Sequence, residues 1–484
     1  MVVLTRHRSP FRLEEPARRL TPDLPLYALA LMMLTNVWRI QDLFPVLGMF
    51  KLNLVATALT IGLLIIDRDP TRHITRLKSP ILLCMLGVLA LAILGVPMSL
   101  WPRRTATFIV RDLLPNLLML VAMAATVRGM RDLSWIAMVN LIGACLFSVF
   151  VHLNFQVGPT GRLHHLVYYD ANDLALVLVC TLPFAIYFLV QHGWRHRVFA
   201  LAGLMLLLAT IAKSGSRGGF LGLVAVSLYV LLGYRAIPVR VRLVATAGVF
   251  ALFAILASET YWDAIRSLRA PQEDYNWAGA SPEGRVELWR RGLGYVADDP
   301  FLGVGMANFP LAEGMLSEES RARAERGAGF KWSVAHNSLL EVAVELGLIA
   351  FALFVAALFI ALRTMHRIRA ARPLQDPEVL RKVGFACTLI AALVGFIVSG
   401  FFVSAAYYSY LYVLLGLCVG MAKIHAGSQA PLVAWPRRRS GIPGADHMPV
   451  PLGRRASLTN RARRSSTRAL SRGTGDSQPR ARPR

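Results

Sequence analysis

HNSLLEVAVELGLIAFALFVAALFIAL, residues 336–362, opens on polar side chains and then runs without a charge from Leu346 until Arg363 ends it. An apolar run of this kind matches the roughly 20 residues that a helix needs to cross a hydrocarbon layer about 30 Å thick. Comparable runs recur at residues 24–38, 45–66, 80–99, 107–127, 134–153 and 171–190, then at 198–212, 218–233, 242–257, 383–402 and 405–423. None alternates like a strand or keeps a polar face every 3.6 residues. The reading is an all-α polytopic membrane protein of about 12 transmembrane helices. Its 55% hydrophobic residues and mean hydropathy of +0.50 agree, since no soluble chain of 484 residues needs so much apolar matter for one core. Lys51 sits inside the second run, so the opening hairpin is the least regular part of the pattern.

The net charge of +25 is a topology signal before it is anything else. Short cytoplasmic loops collect Lys and Arg, and here alternate loops carry them: Arg68, Arg72, Arg76 and Lys78, then Arg128 and Arg131, then Arg195 and Arg197. The series continues with Arg235, Arg240 and Arg242, then Arg363, Arg367, Arg369, Arg372, Arg381 and Lys382. This places both termini in the cytoplasm. The expected divisions are a basic N-terminal segment, 1–23, nine spans over 24–257, a large periplasmic loop, 258–336, three spans over 337–423, and an Arg-rich tail, 424–484. Residues 1–23 lack the apolar region and small-residue cleavage site of a removable signal. The tail cannot bury a core and suits anionic lipid headgroups, and no nucleic-acid partner is expected. The five cysteines lie within apolar runs, where a thiol acts as a small hydrophobe, so no disulfide framework is expected.

Within the long loop, Ser281, Pro282 and Glu283 read as a helix start, and Val286, Trp289, Leu293 and Val296 recur on one face. Asp298, Asp299 and Pro300 end that helix, and the glycines of FLGVGMANF suggest a tight turn. Three places carry basic residues on the outer side, against the rule: Lys213 and Arg217 of SGSRGG, Arg285, and His336. At SGSRGG a guanidinium fork suits phosphate oxygens, while the alternative is an arginine snorkelling beside a tight helical hairpin. His336 is a candidate general base at the head of a helix on which Asn337, Glu341 and Glu345 recur every four residues. Glu345 falls about 13 Å along that helix, where a charge needs a partner or water. Arg103 and Arg104 read as an anchor at a span end, able to add to an anion site. His164, His165, Asp170 and Asp173 match no familiar metal-ligand spacing, so no metal is expected, and no nucleotide-binding fingerprint occurs.

The ordered motifs SGSRGG at 214–219, GRVELWRRGLGYVADDPFLGVGMANF at 284–309 and HNSLLEVAVELG at 336–347 resemble the O-antigen ligase and polysaccharide polymerase superfamily of bacterial inner membranes. ANDLA at 171–175 resembles that family's shorter outer-loop motif. The first four spans resemble the family in hydropathy alone. The resemblance implies a metal-independent C-type glycosyltransferase in the inner membrane that needs no cofactor. It would move a glycan from undecaprenyl-pyrophosphate to an acceptor on the periplasmic side. It implies His336 as the base that activates the acceptor hydroxyl and Arg217 and Arg285 as holders of the pyrophosphate; Lys213, Asn337 and Glu341, read from their places beside these residues, are candidate further substrate contacts. The acceptor would be lipid A core, another carrier-linked glycan, or, as the alternative, a protein Ser or Thr. A flippase or transporter is the rival from another class. It would place polar residues along a pathway through the bilayer rather than at one end.

Overall fold

The computed structural model describes residues 23–429, apart from 75–76, 159–160, 165, 167, 235–236, 268–283, 328–331 and 372. The chain divides into Met1–Ala430 and Pro431–Arg484, and the second unit lies outside the described residues. So do the readings made for residues 1–22, Arg76, His165, Arg235, Ser281, Pro282, Glu283 and Arg372.

Among the described residues the fold is helical, with one isolated bridge between Val157 and Leu163 in place of any strand. In chain order the helices before the long loop are α1 (Leu24–Asn36), α2 (Leu52–Ile66), α3 (Pro80–Leu94), α4 (Pro102–Thr126), α5 (Met130–Asn154), α6 (Ala171–Gln191), α7 (Trp194–Ser214), α8 (Arg217–Gly233) and α9 (Val239–Leu256). The loop carries α10 (Glu259–Arg266), α11 (Arg285–Asp298), α12 (Phe309–Leu316) and α13 (Glu318–Glu325). After it come α14 (Ser338–Arg369), α15 (Pro377–Gly400) and α16 (Ser409–Gln429). Eight of these are long and apolar enough to cross a membrane, and α1, α2, α3 and α8 are shorter apolar helices. The second run starts at Leu52 rather than at residue 45. Lys51 takes a left-handed backbone (φ 46°) that closes off the short turn Pro45–Gly48 before α2 begins.

α6 and α15 form the centre and are buried along most of their length, packed on each other and on α8. α9 is the opposite case: of its side chains only Arg242 and Phe253 are buried, while Val241, Leu243, Val244 and Ile255 face outward. An apolar helix exposed nearly all round has hydrocarbon as its solvent. Contacts also sort the loops into two ends. Asp23, Arg72, Arg128 and Lys423 meet at one, where Lys423 donates to the carbonyl of Ala125 at 3.0 Å. The long loop and the starts of α6, α8 and α14 share the other.

The long loop is fastened to α14 by main-chain geometry. Gly347 (φ 78°) interrupts the helix, and a Cβ there would stand 2.2 Å from the carbonyl oxygen of Phe301. The freed groups bond the loop: Val304 N–H to the carbonyl of Val344 at 2.9 Å, Gly305 N–H to that of Glu345 at 3.0 Å, and Leu348 N–H to that of Pro300 at 2.8 Å. Glu345 finds the partner its depth demands, because its carboxylate accepts from the N–H groups of Ala307 at 2.8 Å and Phe309 at 3.0 Å. The FLGVGMANF turn is therefore a clasp on α14, and Glu345 belongs to the clasp.

α11 ends near Asp298, as read from the sequence, and packs on a face that keeps Trp289 and Val296 of the expected stripe but turns Val286 and Leu293 outward. Leu288, Gly292, Tyr295 and Val296 are buried, whereas Val286 and Leu293 are 36% and 63% exposed. Two features that hydrophobic periodicity does not weigh decide this. Gly292 lets Leu340 of α14 approach, and the Tyr295 hydroxyl donates to Glu313 at 3.0 Å, beside the two-pronged bond of Arg291 to the same carboxylate. That carboxylate raises the Arg291 guanidinium above its ordinary range, against the lowering effect of burial.

Candidate functional site

A cavity of about 420 Å³ opens at the loop end of the bundle, with His336, Asp170, Asp173, Glu341 and Tyr408 on one bank. Its other bank comes from the first spans: Asn36, Arg39, Asn53, Arg111, Asp112 and Asn116.

His336 is held by its neighbours in the chain. The carbonyl of Ala335 accepts the indole N–H of Trp289 at 3.0 Å, and that ring packs edge-on against Phe401. Asn337 caps α14, its side-chain oxygen accepting from Leu339 and Leu340 N–H groups at 2.9 and 3.1 Å. Ser338 donates to the carbonyl of Val403 at 2.7 Å and accepts from Ala405 N–H at 3.0 Å. Between these ties His336 adopts a left-handed backbone (φ 48°), tolerable for His and over-determined by the anchors around it. Its half-buried imidazole is pushed down to about 4. Burial is the largest cause, the positive charges of Arg285 and Arg162 add to it, and Asp170 opposes it. At neutral pH the ring is uncharged and able to accept a proton.

The ANDLA helix start continues the His336 bank. Asp170 and Asp173 form a reciprocal capping box at the head of α6, and Tyr408 donates to Asp173 at 2.8 Å. Glu341 is half-buried on the same side and accepts from Ala406 N–H at 3.2 Å. In SGSRGG, Ser216 caps α8 by accepting from Gly219 N–H at 3.1 Å and itself donates to Asn172 at 2.8 Å. A Cβ on Gly219 would stand 2.5 Å from Ala175, so this glycine serves the contact between α8 and α6, and its N–H is already bonded.

The sequence-derived residues thus divide. His336 and Glu341 line the cavity, and Arg285 stands close enough for its charge to act on His336. Arg217 begins α8 and donates to Ser267 at 3.0 Å, without lining the cavity. Lys213 donates to the carbonyl of Phe155 at 2.7 Å and lines a separate pocket of about 250 Å³ with His152 and Ser258. Asn337 is occupied as a helix cap. Among the described residues no group of three His, Cys, Asp or Glu side chains could hold a metal. Sequence reasoning missed Arg162, whose Nε is buried without a hydrogen-bond partner among the described residues, and the bank of Arg39, Arg111 and Asp112. The adjacent charges of Arg111 and Asp112 inside an apolar run were the available signal.

Residues 202–355 match the family model described as O-Antigen ligase. A curated relative from Haemophilus influenzae, an uncharacterized protein, is 21% identical over 205 residues, 41% of this chain. The chain spans about half of that relative's length, 51%. The matched stretch contains SGSRGG, the loop helix α11, the clasp and His336. Motifs and match coincide, and they support the O-antigen ligase and polymerase superfamily for this protein.

Proposed function

We propose that this protein transfers a glycan from undecaprenyl-pyrophosphate to an acceptor hydroxyl at the loop end of the bundle, on the periplasmic face, in a single inverting displacement. The observation that carries the reading is an uncharged His336 imidazole, fixed on the wall of a polar cavity within reach of the Arg285 charge. The acceptor oxygen forms a bond to the anomeric carbon as the bond from that carbon to the pyrophosphate breaks, and the hydroxyl proton passes to His336. Burial and the nearby positive charges keep the imidazole neutral and able to take that proton, while fixed cationic donors stabilise the departing charge. Arg285 supplies that stabilisation through its guanidinium fork, and Arg217, outside the cavity lining, is assigned to the pyrophosphate by its motif alone. Glu341 and Asp173 line the acceptor side.

The basic loops support the orientation, with residues 1–23 and 424–484 cytoplasmic, the long loop 258–336 periplasmic, and the bundle in the inner membrane. Reporter fusions near residues 310 and 372 are expected outside and inside, respectively, and the reverse would remove the cavity from the periplasm. The decisive experiment is transfer by purified protein with undecaprenyl-pyrophosphate oligosaccharide as donor. Lipid A core, carrier-linked glycan and a Ser/Thr peptide are offered as acceptors, with and without a chelator. Product is expected with one of them, chelator or not, and the acceptor consumed separates ligase, polymerase and protein transferase. Donor binding without product from any acceptor would sink the transferase reading in favour of transport.

A further inference from the structure

We propose that Arg103, Arg104 and Arg111 form a second anion-binding subsite, adjoining the His336 cavity, that takes phosphate groups on the headgroup of a lipid-linked glycan. The proposal rests on the transferase reading for its biological context, but not for its test.

Beside the His336 cavity lies an open pocket of about 440 Å³, lined by Trp101, Arg103, Arg104, Thr107, Phe108, Arg111 and Asp112. Phe108, Arg111 and Asp112 line both, so the two spaces meet at one shared wall. Arg103, Thr107 and Arg111 recur every four residues and make a stripe along α4, with Arg104 alongside. None of the three guanidiniums makes a hydrogen bond or ion pair to another described residue, and the nearby carboxylates of Asp112 and Glu345 interact with Arg111 and Arg104 through charge alone. Three exposed guanidiniums facing one aspartate leave the pocket strongly positive.

Anchoring to headgroups would account for Arg103 and Arg104, whose level is marked by the half-exposed Trp101. It does not account for Arg111, which lies about 12 Å further along the helix axis, inside an apolar span. There the helix widens into a π-turn, Ile109–Leu113, a distortion that recurs at functional sites and that here accompanies Arg111 and Asp112 on the cavity wall. A cation kept at that depth, on a wall shared by two pockets and with no hydrogen-bonded protein partner, is suited to an anion that arrives with the substrate. Phosphate fits a guanidinium fork, and a headgroup with more than one phosphate fits a stripe of them. The donor's pyrophosphate and the phosphates of a lipid A acceptor share this chemistry. This bank lies outside residues 202–355, so it complements the motifs of the matched stretch rather than repeating them.

The test uses full-length protein in phosphatidylcholine nanodiscs and reads binding, not turnover. The probes are undecaprenyl pyrophosphate against undecaprenol, bis-phosphorylated lipid A against its dephosphorylated form, and phosphatidylglycerol. Wild-type protein is expected to prefer the phosphorylated form of at least one glycan-carrier lipid by tenfold or more. The triple variant R103Q/R104Q/R111Q is expected to lose that preference, and the exposed single changes Arg103→Gln and Arg104→Gln each weaken it without altering thermal unfolding. Loss with undecaprenyl pyrophosphate alone assigns the subsite to the donor, and loss with lipid A alone to the acceptor. An unchanged preference in folded variants, no preference in wild type, or an equal loss for phosphatidylglycerol would overturn the subsite. Arginine-dependent binding without any glycan transfer would leave the subsite standing and remove only the transferase reading.

Discussion

The two ends of the bundle use charge in opposite ways. At the end where α1 begins, Arg72 is 3% exposed and fully engaged: it bonds both oxygens of Asp23 at 2.7 and 2.6 Å, Asp67 at 2.8 Å and the carbonyl of Thr126 at 3.0 Å. Arg128 joins the same Asp23 and also reaches Asp69 and Asp132. Every donor there is spent on tying α1, α4 and α5 together. At the loop end, Arg103, Arg104 and Arg111 turn toward an open pocket, and His336 is strapped in place by neighbours while its ring stays on the cavity wall. Satisfied charge marks architecture, and charge held rigid but left available marks a site for something that comes and goes.

The sharpest way to break the contrast is at His336. His336→Ala is expected to lower transfer by about 10²-fold or more with donor binding and thermal midpoint kept, since a positioned base contributes on this scale. Full turnover in a normally inserted variant would end the base assignment. Next, Arg72→Ala should destabilise the protein by up to about 3 kcal/mol, because it removes the bonds of a buried guanidinium to the half-buried Asp23 and Asp67 and to the Thr126 carbonyl. Its signature is a lowered unfolding midpoint with an unchanged pH profile of transfer, and a changed profile would mean that the two ends are not separable in role. Glu345→Ala leaves two buried N–H groups without acceptors, at about 1–3 kcal/mol each. Proteolysis of the loop should speed up before the bundle unfolds; equal protection would show that the clasp does not depend on the carboxylate. The smallest effect is the most specific. His336 acts as a base only when neutral, so kcat/KM should fall as pH drops through about 4 and stay level above it. Arg285→Gln removes a positive charge that disfavours the imidazolium, so the acid limb should move upward toward the ordinary histidine range near 6.5. An unmoved limb would deny the electrostatic link between Arg285 and His336.

Much of the fold was legible because a bilayer-spanning helix announces itself in a continuous stretch of chain. The helices fall on the apolar runs, with ends shifted by a few residues where caps decide them, as Asp376 does for α15 by accepting from Glu378 N–H at 2.8 Å. The packing face of α11 was legible in Trp289 and Val296 but not in Val286 and Leu293, because a missing side chain at Gly292 and a phenol at Tyr295 rotate the contact. The site was legible in part. His336 stands out locally, at the mouth of a span, whereas the wall opposite is assembled from Asn36, Arg39, Arg111 and Asp112 on helices far away in sequence. Asn337 illustrates the reverse error: an Asn directly before a helix is the ordinary cap, and the structure uses it so.

The break at Gly347 also bears on how the chain is made. The carbonyls of Val344 and Glu345 and the N–H of Leu348 have their partners in residues 300–305. In hydrocarbon each would cost several kcal/mol if left bare. Those partners precede α14 in the chain, so synthesis delivers the clasp before the helix that requires it. The stretch 300–305 is in this sense an assembly jig, translated first, against which the broken helix α14 closes its main-chain bonds.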